Sequence, residues 1–131
     1  MKFKAIASIT ALGILVNALM FLVIPVFSMS LLGRTLNEAG IMNTRISGAC
    51  ALVLSVWLWQ SRNFSNPVDQ KRVANVFLLL FILMVAIDLH GLYTGAINEM
   101  GWLMTGVDFL LGCAFLYLVI KKPRITGTMN D

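Results

Sequence analysis

The sequence predicts an all-α fold, a four-helix antiparallel transmembrane bundle, and three observations predict it. Four apolar runs are each long enough to cross a hydrocarbon core of about 30 Å at about 1.5 Å of rise per residue. Charged residues make up 12% of the 131-residue chain, where a soluble domain carries roughly 25%. The mean hydropathy of +0.86 points the same way. The expected spans fall at about 5–24, 42–60, 73–93 and 101–120, in one integral membrane domain with no room for a separate soluble one. Short loops make sequential spans antiparallel neighbours.

The first apolar run is uncharged over residues 5–32. That is longer than the roughly 20 residues a span requires, so it is tilted or broken. Pro25 is the expected break, because it removes a helical hydrogen bond and disfavours the helical conformation of Ile24. The segment after it then continues at the membrane interface. A basic start and an apolar run also describe a secretory signal peptide, with Val16-Asn17-Ala18 as a cleavage-like triplet. The apolar run extends far past that triplet, which favours an uncleaved span.

The second run has Arg45 near its start and Trp57 and Trp59 near its end, where an interfacial aromatic belt is expected. Ser47, Ala51 and Ser55 repeat every four residues, and Gly48 adds to the small character. Such a face lets another helix approach closely. Asn66-Pro67 reads as a turn. The third run is apolar, apart from Asn75, until Asp88 and His90 interrupt it. The fourth starts at Gly101-Trp102 and stops at Lys121, Lys122 and Arg124, with a polar tail to Asp131.

The basic residues set the expected orientation. Eight of the ten, Lys2, Lys4, Arg62, Lys71, Arg72, Lys121, Lys122 and Arg124, fall on one side, and Arg34 and Arg45 on the other. Positive residues favour the cytoplasmic side, so both termini are expected there, in a bacterial inner membrane. The formal charge of +4 follows from this flanking pattern and carries no nucleic-acid signature.

Polar residues inside such spans are the candidates for function, because hydrocarbon disfavours them unless they face protein or water. They are Asn17, Arg45, Asp88, His90 and Asp108. Arg45 offers a planar fork of donors that matches a carboxylate, so it is expected near Asp88, Asp108 or both. Asp108 shares a helical face with Gly101, Thr105 and Gly112, and that face is expected to point into the bundle. Plainer readings stand beside these. Arg45 can snorkel to headgroups, Asp88 can be solvated near the surface, and Asn17 can bond a neighbouring helix. His90 is the only histidine, so no all-protein haem or zinc site is expected, and no cofactor or metal. Cys50 and Cys113 lack a CxxC partner and are expected to be buried free thiols. No Walker loop, HExxH or GxSxG occurs, so no enzyme class is named.

Arg45-Ile46-Ser47-Gly48-Ala49 resembles the R-x-x-G-A opening of a span in several families of small four-helix bacterial membrane proteins, the DoxX-like group among them. Gly101-Trp102 and Leu110-Leu111-Gly112-Cys113 are loosely similar to the same group. The resemblance implies the bundle and carries over no catalytic or ligand residue. Three functions are weighed from these observations, and the one with the weakest support is a membrane enzyme acting on lipid, for which no nucleophile–base pair or metal cluster can be named. The first is a structural or accessory protein, packing with itself or with a larger membrane complex in the lipid bilayer. The alternative is a carrier or binding site for a small molecule, ion or proton.

Overall fold

The computed structural model describes residues 2–121. The predicted polar tail, with Lys122 and Arg124, lies outside the described residues. The fold is all-helical, with α1 (Lys2–Val23), α2 (Pro25–Ser30), α3 (Glu38–Ser61), α4 (Pro67–Tyr93) and α5 (Met100–Ile120). Four of these, α1, α3, α4 and α5, are long and apolar enough to cross a membrane.

Pro25 breaks the first run. Ile24 leaves the helical region, with φ −129° and ψ 53°, and Pro25 opens α2 at its first turn. Proline is tolerated there because that N–H has no helical partner in any case. Two helices start earlier than their apolar runs. Asn37 caps α3, its side-chain oxygen accepting from the Gly40 amide at 2.8 Å. Asn66 caps α4 by accepting from the Val68 amide at 3.0 Å, with Pro67 as the first helical residue. Asn66-Pro67 is therefore a helix start as well as a chain reversal. The polar segment after it is helical and holds the Asp69–Arg72 ion pair at 3.3 Å.

The long helices form two antiparallel hairpins, α1 on α3 and α4 on α5. In the first hairpin Ala7, Ala11, Ile14 and Ala18 of α1 meet Thr44, Gly48, Ala51, Ser55 and Leu58 of α3. Both sets alternate spacings of four and three residues and are buried or half-buried. That period is the seam of a left-handed helix pair. Ser55 Oγ donates to the Ala11 carbonyl oxygen at 2.7 Å. A Cβ on Gly48 would stand 2.9 Å from Phe21 Cβ and 3.0 Å from the Ala18 carbonyl oxygen, so only glycine permits this approach. Ser47 lies outside the seam: it is exposed and returns its hydroxyl to the Asn43 carbonyl at 3.0 Å.

In the second hairpin Gly101, Thr105, Asp108, Gly112 and Phe115 of α5 repeat the same alternation. They face Phe77, Phe81, Asp88 and Gly91 of α4. The cysteines depart from expectation. Both are exposed. Cys50 lies two residues beyond Gly48 and Cys113 one beyond Gly112, and a rotation of about 100° per residue turns them out of the seams.

The hairpins join at two levels. At the end that holds the start of α1 and the end of α5, called here the terminal end, the core gathers Phe3, Ala7, Leu58, Ala74, Phe77 and Phe115. Trp57, Phe77, Phe115 and Phe81 stack in a column, with successive ring centroids 5.8, 5.5 and 5.8 Å apart. At the opposite, loop end, Asn98 ties the hairpins. Its amide donates to the Leu32 carbonyl and its side chain to the Leu31 carbonyl, both at 3.0 Å. Gly33, at φ +74°, makes the turn that brings these carbonyls to Asn98.

Candidate functional site

Asp88 and Asp108 are brought together by the α4–α5 seam, toward the loop end. Both are half-buried, and neither is directed to the outer face of its helix. Their carboxyl groups lie within electrostatic reach of one another. Oδ2 of Asp88 is buried and has no hydrogen-bond partner among the described residues. Beside them, Thr105 returns its hydroxyl to the Gly101 carbonyl at 2.9 Å, a bond within its own helix.

The cation that acts on Asp88 is Arg34, not Arg45. Arg34 leaves the loop after α2 and crosses to the second hairpin. Its Nε donates to the Ala96 carbonyl oxygen at 2.9 Å. One of its terminal nitrogens lies 3.8 Å from the position a Cβ on Gly91 would take. Gly91 is one helical turn from Asp88 on α4. The expected approach of Arg45 to either aspartate does not occur. Arg45 follows the seam residue Thr44 directly, so it projects outward and is exposed. The loop-end half of α3 packs on α1, which leaves Arg45 no carboxylate within 4.0 Å among the described residues.

The remaining candidates stand apart from this pair. His90 is exposed; its backbone carbonyl accepts from the Thr94 hydroxyl at 2.9 Å. Asn17 is half-buried on α1, and its side-chain amide makes no hydrogen bond among the described residues. Ala51, Gly48, Ser55 and Gly112 line the helix seams described above. Among the described residues no three His, Cys, Asp or Glu side chains gather where they would hold a metal ion.

Arg34 is the residue that sequence reasoning passed over. Its signal was its rarity: Arg34 and Arg45 are the two basic residues placed on the loop side. Helical periodicity says nothing of a residue in a loop, so only the path of the chain through Gly33 decides where it reaches. A different feature, an open apolar groove of about 370 Å³, runs along α3 between Leu52, Val53, Val56, Trp57 and Gln60.

No family model, no curated protein and no solved structure matches this chain.

Proposed function

We propose that this chain is a structural or accessory membrane protein that packs with itself or within a larger membrane complex. One observation carries the reading. Arg34, Ser55 and Asn98 reach between elements, and each ends on a backbone carbonyl oxygen. Polar side chains so engaged hold helices together and are not aimed at a ligand. The outward faces support the same reading. Ile9, Val53, Leu79 and Leu110 remain exposed, one on each long helix, and Val53 also lines the open groove on α3. The test is mild-detergent extraction followed by crosslinking and mass measurement. A dimer or a stoichiometric partner is expected. A chain that stays monomeric and alone at all crosslinker concentrations overturns the proposal.

The bilayer in question is taken to be a bacterial inner membrane, with both termini cytoplasmic and the Arg34 loop outside. The bias of Lys and Arg toward one side supports this orientation. A reporter fused after Asp131 that proves to be exported overturns it. Kinship with the DoxX-like group is supported by the Arg45-Ile46-Ser47-Gly48-Ala49 motif.

A second reading, a binding site or pathway for a small molecule, ion or proton, is favoured by the unpartnered Oδ2 of Asp88 beside Asp108. Ionisable residues at this depth are functional candidates by default. Under this reading Asp108→Asn abolishes a binding or transport signal while assembly and thermal stability stay as in the wild type. A loss of stability alone returns Asp108 to a packing role.

A further inference from the structure

At the terminal end of the bundle two ammonium groups converge on one phenol. Lys2 Nζ donates to the Tyr117 hydroxyl at 2.9 Å and lies 5.1 Å from the centre of its ring. Lys121 Nζ lies 5.9 Å from the same centre. The two lysines come from the opposite chain ends, α1 and the residue after α5. Among the described residues neither has a carboxylate within 4.0 Å. Both ammoniums therefore meet one aromatic ring with no described carboxylate to neutralise them. The Tyr117 oxygen accepts from Lys2, which leaves its own O–H to donate.

We infer that Lys2, Tyr117 and Lys121 form a binding site for the phosphate headgroup of an anionic phospholipid. Three donors then face one phosphodiester, whose oxygens accept from both ammoniums and the phenol. Tyr117 stands one turn inside the end of α5, the depth at which tyrosine rings meet the headgroup layer. Two turns below Tyr117 and Lys2, Leu110 and Ile9 are exposed on α5 and α1, so the acyl chains run along apolar helix faces. Basic clusters between helices at the membrane surface take anionic headgroups in this way. The inference does not depend on the proposed packing role, since a lone chain offers the same three donors.

The test uses the full chain in mild detergent, titrated with phosphatidylglycerol or phosphatidylcholine and read by native mass spectrometry. The wild type is expected to retain phosphatidylglycerol about tenfold better than phosphatidylcholine. Lys2→Gln with Lys121→Gln is expected to abolish that preference, and Tyr117→Phe to weaken it. Lys71→Gln with Arg72→Gln removes the same charge elsewhere and is expected to leave it intact. An unchanged preference in the Lys2/Lys121 variant overturns the site. So does an equal loss in the Lys71/Arg72 variant, which would assign the effect to the charge of the whole end. Inorganic phosphate that competes as well as the lipid would overturn the lipid as occupant.

Discussion

Arg34 Nε donates to the carbonyl oxygen of Ala96 at 2.9 Å, and this bond joins the first hairpin's loop to the second's. The same guanidinium faces the α4 turn that carries Asp88. Arg34→Gln therefore removes a link between hairpins and the cation that faces the α4 turn carrying Asp88. Arg34 is exposed, so the loss is expected at about 1 kcal/mol, below the roughly 1.5–3 kcal/mol of hydrogen bonds to charged groups because solvent screens the guanidinium. Thermal unfolding in detergent measures it.

Arg45→Gln is the matched control. Arg45 is exposed and outside the α1–α3 seam, so its replacement is expected to change stability by less than about 0.5 kcal/mol. Equal losses in the Arg34 and Arg45 variants would contradict the assignment of Arg34 as the joining cation.

Gly48→Leu drives a side chain into Phe21 Cβ and the Ala18 carbonyl, and the latter is backbone that cannot turn aside. Overpacking of this kind costs about 1–3 kcal/mol or more. Cysteine crosslinking between α1 and α3 is expected to fall in yield, while α4–α5 crosslinks are retained.

Ser55→Ala removes the donor to the Ala11 carbonyl but leaves that carbonyl its place in α1. The expected loss is about 0.6–1.7 kcal/mol, as for other interhelical bonds in membranes. In a thermal melt it falls short of the Gly48→Leu effect.

Phe77→Ala opens the centre of the aromatic column between Trp57 and Phe115. Phe77 is fully buried. Truncation there is expected to cost about 3–5 kcal/mol. Because the column joins α3 to the α4–α5 pair, limited proteolysis is expected to cut the 62–66 connection faster.

The sequence by itself determined the helices and the buried face of α5, while on α3 it placed Ala51 and Ser55 correctly and misplaced Ser47. Apolar length marked the long runs, Pro25 marked the break before α2, and the spacing of Gly101, Thr105, Asp108 and Gly112 marked one seam. Those are properties of one helix at a time, and a period of about 3.6 residues makes them readable. The helix starts at Asn37 and Asn66 were written in the chain as well, in cap chemistry that apolar runs do not show.

Tertiary structure alone decided what meets across elements. Arg34 rather than Arg45 reaches the Asp88 region because a left-handed turn at Gly33 lets the loop touch Asn98. The helices pair as two hairpins that touch at their ends, although short loops treat all three sequential contacts alike. The reason is physical. Periodicity fixes which side a residue takes, but long-range packing and loop geometry select its partner from several that are chemically equivalent.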